Sequence, residues 1–320
     1  MARIGLVLGA GGMAGIAYHA GVLAGLAEGV GWDPREADLI VGTSAGSLIA
    51  AGLRAGLSAA DIAARAEGSP LSPEGAALLE ASDAAVGPSR DGPPTMSLRL
   101  RTPAAPGVLL AAGLAPWRIR PAAVIAGLLP PGSAPTEALE AGLDALYDDR
   151  WPARPMWVCA VHLDSGRLTV FGRDGAPRAR VGEAVAASCA IPGYFAPVPV
   201  NGARYVDGGA HSLTNLSEVA RLGLDLVIVS APMSRTGRRR PTSLVVRELA
   251  RLELGVEARR VRRRGAAVLA FQPTAADQAT AGLNFMNPAR QAAIARQARA
   301  STLRRLERAD VRERLAMLRG

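Results

Sequence analysis

Asp38 to Gly52 is an apolar run that reaches a serine between two glycines, Gly42-Thr43-Ser44-Ala45-Gly46, and then continues in helix-forming residues. The pattern reads as strand, sharp turn and helix. In that setting G-x-S-x-G forms a nucleophile elbow: the serine takes strained backbone geometry at the tip, and Gly42 and Gly46 leave room for the chain to fold back. The helix starts at once, so its amino-terminal dipole points at the serine oxygen and at any anion formed there. Ser44 is the candidate nucleophile. A bare G-x-S-x-G also serves as a close-packed turn with no chemistry, so the rest of the chain must supply an anion cradle and a base.

The cradle lies near the amino terminus. Arg3 to Leu8 reads as a strand that ends in Gly9-Ala10-Gly11-Gly12-Met13-Ala14-Gly15, followed by helical residues from Ile16 to Glu28. Backbone N–H groups at such a helix start suit a phosphate or an oxyanion equally. Gly9-x-Gly11-x-x-Ala14 also fits a relaxed dinucleotide fingerprint, which opens an alternative reading as a nucleotide-dependent oxidoreductase. That fingerprint needs an acidic residue at the end of the second strand, and here the second strand ends in the serine turn. Consecutive parallel strands joined by a right-handed helix place their carboxyl ends on one sheet edge. The N–H groups of Gly11, Gly12 and Met13 should therefore stand beside the Ser44 hydroxyl, an arrangement made for acyl transfer.

The elements that must hold these loops follow in order. Residues 68–135 carry most of the prolines and read as an insertion of short helices, with a broken apolar stretch from Ala104 to Leu129. Met156 to Val161 and Leu168 to Phe171 read as a hairpin, Val181 to Ala187 as a helix, and Leu224 to Ser230 as a buried strand. Arg204-Tyr205-Val206-Asp207-Gly208-Gly209 places an acid where an extended segment stops, with two residues after it that cannot block another loop. A solvent-facing Asp-Gly turn has the same appearance. Pro241 to Arg264 reads as one long helix and Asn287 to Arg308 as a closing amphipathic one.

With 320 residues, 49% of them hydrophobic, the chain can bury the core of one large domain, expected as a three-layer α/β/α unit with a parallel or mixed sheet. Every one of the 37 basic residues is arginine, and the net charge is +9. The arginine runs at 238–240 and 259–264 have no aromatic residues interleaved for base stacking, which excludes nucleic acid and leaves a solvated helix end or an anionic membrane surface. Trp117 beside Arg118 and Arg120 suits the level of lipid headgroups. Cys159 and Cys189 sit in apolar segments without metal-ligand spacing, so free thiols in a reducing cytoplasm are expected and no metal site. No signal peptide or uninterrupted spanning stretch is read, and the expectation is a cytoplasmic protein that touches a membrane surface at most.

The glycine loop 9–15, the serine turn 42–46 and Asp207-Gly208-Gly209 after Ile191-Pro192 resemble, in order and spacing, the three blocks of the patatin-like phospholipases. The likeness continues through Asn215 and the strand at 224–230. It departs from the commonest pattern at Ala10, usually glycine, and at Ala14, usually arginine. The resemblance implies a patatin-like α/β fold with a mostly parallel central sheet and a serine–aspartate dyad, with Ser44 as nucleophile and Asp207 as base. It implies the glycine loop as oxyanion hole, no catalytic histidine, no cofactor, and a fatty acyl ester of a lipid or phospholipid as substrate. A partly desolvated carboxylate within hydrogen-bond reach can take a serine proton. The rival is a triad built on one of three histidines. His211 lies too close to Asp207 in the chain, while His19 and His162 lack an adjacent acid. A catalytically weak relative acting as a binding or regulatory module is the other alternative.

Overall fold

The computed structural model describes residues 2–86, 104–105, 121–236 and 245–318. Trp117, Arg118, Arg120 and Arg238 to Arg240 lie outside the described residues, as do residues 87–103 and 106–120 of the expected insertion.

Eight strands form one sheet: β1 (Ile4–Leu8), β2 (Leu39–Thr43), β3 (Met156–His162), β4 (Arg167–Phe171), β5 (Val198–Val200), β6 (Ala203–Asp207), β7 (Leu226–Ser230) and β8 (Ala267–Phe271). Five of them run parallel in the order β3-β2-β1-β7-β8, and β4, β5 and β6 form an antiparallel arm. Parallel strands must be covered on both faces, and β1 shows why this sheet can be. Ile4, Leu6 and Leu8 enter the core of one face while Val7 enters that of the other.

The described helices are α1 (Gly12–Val30), α2 (Ala45–Ala55), α3 (Ala59–Glu67), α4 (Pro73–Val86), α5 (Pro121–Leu128), α6 (Glu137–Tyr147), α7 (Val181–Cys189), α8 (Val245–Arg262), α9 (Ala275–Ala281), α10 (Gln291–Leu306) and α11 (Ala309–Leu315); α1, α2, α7 and α10 cover the first face, and α8 with short 3-10 turns covers the second. Gly21, Gly25 and Gly29 recur every four residues along α1 and form its contact with α10. A Cβ on Gly21 would overlap the Ala295 carbonyl, so the two helices meet backbone to backbone. By length and composition α1 is long and apolar enough to cross a membrane, yet 67% of that stretch is buried inside the fold. Cys159 and Cys189 are buried and free, and burial pushes both thiols up.

The pairing registers of β3 bring two distant loops together. Along one edge of β3, β2 pairs up to Thr43 opposite Cys159 and β6 pairs down to Asp207 opposite Ala160. The other edge of β3 carries β4 over the same residues, so β2 and β6 share an edge and approach each other end to end. Ser44 and Asp207 are the residues at which the two strands stop. Gly208 follows, and any side chain there would overlap the Cys159 carbonyl.

The helix read from Pro241 to Arg264 is described as Val245–Arg262, with residues 241–244 outside the description. It runs opposite to the parallel strands: Arg247 donates to Pro232 O just past β7, and Arg262 donates to Val268 O at the start of β8. Arg259 to Arg264 therefore lie at the amino edge of the sheet, away from Ser44. β4, β5 and β6 supply the antiparallel part of the mixed sheet, and β5, three residues containing Pro199, has no readable alternation in sequence.

Candidate active site

Ser44 has φ 52° and ψ −122°, a left-handed conformation that costs a non-glycine residue of order 1–3 kcal/mol. Its neighbours hold it there. A Cβ on Gly46 would overlap the Leu8 carbonyl and one on Gly42 the Ser47 backbone, so the turn closes against β1 as the elbow pattern requires. Ser188, at the end of α7, accepts the Ser44 N–H at 2.9 Å and donates to the Cys159 carbonyl at 2.7 Å. The helix α2 begins at Ala45, directly behind the hydroxyl.

Asp207 is 6% exposed and Ser44 3%. The Ser44 hydroxyl stands close enough to the Asp207 carboxylate to favour its ionised form, and Gly209 N–H donates to Asp207 Oδ1 at 2.7 Å. Burial raises the carboxylate pKa from 3.8 to about 6, with the Ser44 hydroxyl and the Gly209 N–H opposing the shift. The group is thus ionised at neutral pH yet basic enough to take a proton. Its own N–H donates to Ala190 O at 3.0 Å, so α7 and the turn after it tether both strand ends.

Asn215 braces the same junction from the other side. Its Nδ2 donates to Thr43 Oγ1 at 3.0 Å and to Ser212 O at 2.8 Å, and it reaches Gly208 O at 3.4 Å. Thr43 precedes Ser44 and Gly208 follows Asp207, so one amide fixes the separation of the two candidates. In the sequence Asn215 stands only within the family likeness, and Ser188 carries no motif. The one available signal was a buried-type serine ending a helix that leads into Ile191-Pro192.

In the glycine loop, Gly12 has φ +60°, and a side chain there would meet Met286 Sδ at 2.9 Å and Phe285 O at 3.1 Å. The N–H groups of Gly9, Ala10 and Ala14 are taken by Ser230 O, Leu213 O and Phe285 O. Those of Gly11, Gly12 and Met13 have no partner among the described residues, which leaves donors for an incoming oxyanion. Gly15 packs against Ala45 of the elbow helix. The loop is held without an arginine at Ala14. Arg247, 4% exposed, donates to Pro232 O and Ser234 O and lies 4.9 Å over the Phe285 ring. Pro232 packs on Gly11 and Phe285 O holds Ala14, so Arg247 supports both walls of the loop.

None of the three histidines reaches Ser44. His19 is buried, with Nε2 donating to Gly9 O and Nδ1 accepting from Ser230 Oγ, both at 2.8 Å. Burial lowers its pKa to about 4, so it is neutral and serves as a brace under the glycine loop. His211 is bonded to Asn215 Oδ1 and His162 to the Ser165 N–H. Among the described residues no group of three or more His, Cys, Asp or Glu is placed to hold a metal ion.

Ser44 and Asp207 line a cleft of about 490 Å³ together with Ala10, Gly11, Gly12 and Gly209. Met13 is not among its lining residues. The walls are apolar: Ile125, Ala126, Leu129, Ile191, Leu213, Met233, Leu283 and Phe285. Ser44, Asp207, unpartnered backbone N–H groups and an apolar slot thus meet at the carboxyl edge of the parallel strands, the edge at which α/β proteins commonly bind ligands.

No curated protein matches the chain. Among solved structures it is similar to VipD from Legionella pneumophila, at 16% identity and a TM-score of 0.47, covering 96% of this chain and 67% of that one. It is also similar to the type III effector protein ExoU, at 19% identity and a TM-score of 0.36, covering 98% of this chain and 53% of that one. The chain spans about half the length of ExoU. The family model of patatin-like phospholipases matches residues 6–220, which include the glycine loop, the serine elbow and Asp207. With that match over more than half its length, the chain belongs to the patatin-like phospholipase family.

Proposed function

We propose that this protein hydrolyses fatty acyl esters of lipids through a Ser44–Asp207 dyad. The observation that carries the reading is the placement of both side chains in one apolar cleft, close enough that the Ser44 hydroxyl acts on the Asp207 carboxylate, whose pKa is raised to about 6. Asp207 takes the Ser44 proton as the serine oxygen attacks the ester carbonyl. The tetrahedral oxyanion is met by the N–H groups of Gly11 and Gly12 and by the dipole of α2. Asp207 then returns the proton to the leaving alcohol as the C–O bond breaks, which leaves an acyl ester on Ser44. Water, deprotonated by Asp207, attacks that ester, and collapse of the second tetrahedral species frees the fatty acid and reprotonates Ser44. The chemistry uses only residues of the chain and water.

The reading includes the chain's organisation: a single acyl hydrolase domain over 1–320, with residues from about 68 to 135 as a cap. Cleft residues Ala122, Ile125, Ala126 and Leu129 come from that segment and support it as part of the acyl pocket. The test combines a fluorophosphonate probe with a panel of p-nitrophenyl esters and phospholipids. Wild-type protein should be labelled and active, and Ser44→Ala should lose labelling together with turnover, on the order of 10⁶-fold. Asp207→Asn should lose nearly as much, and a folded Asp207→Asn protein with near wild-type turnover would rule the dyad out. Labelling of Ser44 with no turnover on any ester would instead favour a regulatory or binding role.

A further inference from the structure

Beside the carboxyl end of β8, on the same sheet edge as Ser44, a second cleft of about 330 Å³ is lined by Tyr18, Gln272, Ser301, Arg304, Arg305 and Arg308 among others. Gln272 there donates to Ser234 Oγ and Arg304 to Ser301 Oγ at 3.2 Å, but two of its polar groups have no such partner. The Arg305 guanidinium lies 5.0 Å over the ring of Phe271 and makes no hydrogen bond or ion pair with a described residue. Tyr18 is 5% exposed, and its hydroxyl has no hydrogen-bond partner among the described residues. The acids nearby are already engaged. Asp277 accepts from Thr274, Gln297 and Ser301, and Asp310 accepts from Arg308 Nε at 3.0 Å.

A guanidinium drawn out of water without a counter-ion is costly, and such groups are normally paired. Burial lowers the Arg305 pKa, and Arg308 and Arg314 add to the repulsion, while the Tyr18 phenol and Asp310 oppose it. Burial holds Tyr18 well above its ordinary pKa, so its hydroxyl keeps the proton and can donate it. A ligand that brought negative charge would relieve both groups at once. A carboxylate offers one plane of acceptors, whereas donors converging from Arg304, Arg305 and Tyr18 come from two helices and suit a tetrahedral oxyanion. The cleft is also roomier than a bare phosphate needs, which leaves space for the group that carries it.

We propose that this cleft binds a phosphomonoester, with Arg305 and Arg304 holding the phosphate and the Tyr18 hydroxyl donating to it. The phosphate can belong to a soluble metabolite or to the headgroup of an anionic lipid, and the two sources are separable. Glycerol 3-phosphate titrated into the full chain at about 0.15 M salt, where loose surface attraction is screened, should bind saturably and raise Tm. Arg305→Gln should weaken binding roughly tenfold or more and Tyr18→Phe several-fold, with Arg304→Gln as a third variant should Arg305→Gln fail to fold. Arg260→Gln, at the opposite sheet edge, removes the same charge and should leave binding unchanged. Cosedimentation with phosphatidylcholine vesicles, with and without phosphatidic acid, supplies the second arm. Vesicle binding that needs phosphatidic acid and falls in the same variants assigns the site to a lipid headgroup. Binding of the soluble ester alone assigns it to a metabolite. No saturable binding of either, or binding that the cleft variants leave intact or that falls equally in Arg260→Gln, overturns the proposal.

Discussion

Ser188 Oγ accepts the backbone N–H of Ser44 at 2.9 Å, and the same hydroxyl donates to the Cys159 carbonyl at 2.7 Å. One side chain thereby ties the strained serine to the strand beside which β2 and β6 meet. Strain of this kind persists only where its surroundings over-determine it. Here Ser188, Gly42 and Gly46 share that task, and Asn215 fixes the facing strand end.

Removing that hydroxyl should loosen the elbow without touching substrate. Ser188→Ala leaves a buried donor and a buried acceptor unpaired, a loss of about 1–3 kcal/mol. The expected outcome is a lower Tm with kcat reduced and KM for a short soluble ester nearly unchanged. A fall confined to stability would show that the elbow keeps its geometry without Ser188.

The raised pKa of Asp207 makes two pH statements with one sign check. As a base it works when ionised, so kcat/KM should rise with pH through about 6 and then level. In the folded state its pKa lies above the unfolded value of 3.8, so its contribution to stability is full below 3.8 and is lost as pH rises through about 6. Asp207→Asn, which carries no charge, should match the wild type near pH 4 and exceed it at pH 8 by about 3 kcal/mol, taking about 1.4 kcal/mol per pH unit. Denaturant melts of both proteins at the two pH values check this, and a stability gap that does not grow with pH would sink it.

Much of this site is written in local sequence. The elbow and the glycine loop are legible because each is a short motif whose backbone demands glycine at fixed positions, and Gly12, Gly42 and Gly46 are each used that way. The strand that ends in Asp207 was legible, but its partner was not. The meeting of β2 and β6 on one edge of β3 depends on two registers, Thr43 with Cys159 and Asp207 with Ala160, neither of them local in the chain. For the same reason Ser188 and Arg247 were invisible, since their partners lie at Ser44, Cys159, Pro232 and Phe285. The arginine run at 259–264 was legible as charge, but only the direction of α8 shows which edge of the sheet receives it.

His19 offers a test of the rival triad. It is neutral in the fold with a pKa of about 4, below the ordinary 6.5, so its contribution to stability is lost as pH falls from 6.5 toward 4. His19→Gln should therefore lower stability at pH 7 and flatten that acid limb, while kcat/KM keeps its rise near 6. His162→Ala and His211→Ala should leave the profile in place. Loss of the rise in any one of the three would restore a histidine as the base.

In the proposed reaction Gly12 acts through its backbone N–H. Its positive φ costs an L-residue roughly 1–2 kcal/mol, and a new Cβ presses on Met286 and the Phe285 carbonyl. Gly12→Ala should lose roughly 10²–10³ in kcat, the usual effect of one displaced oxyanion donor, with KM little changed. A large rise in KM at constant kcat would place the loop in substrate binding instead.

The last expectation concerns how a lipid reaches the cleft. An interfacial reading drawn from the sequence leaned on Arg259 to Arg264, but α8 carries them to the amino edge of the sheet, whereas Ser44 opens at the carboxyl edge. What the cleft itself presents is apolar. Leu283 is 70% exposed and Ile125 58% exposed, and both line it. Two large aliphatic side chains left in water beside a greasy slot suit contact with acyl chains. Burying each one gains roughly 1.5–3 kcal/mol, which is enough to alter partition onto a vesicle. Leu283→Ser and Ile125→Ser should thus slow hydrolysis of dispersed phospholipid by about tenfold or more while sparing a short soluble ester. Replacing Arg259, Arg260, Arg263 and Arg264 with glutamine should leave lipid hydrolysis near the wild-type rate. If the arginine variant lost activity on anionic vesicles and the two serine variants kept it, charge at the far edge would be governing attachment and the apolar rim would have no part in it.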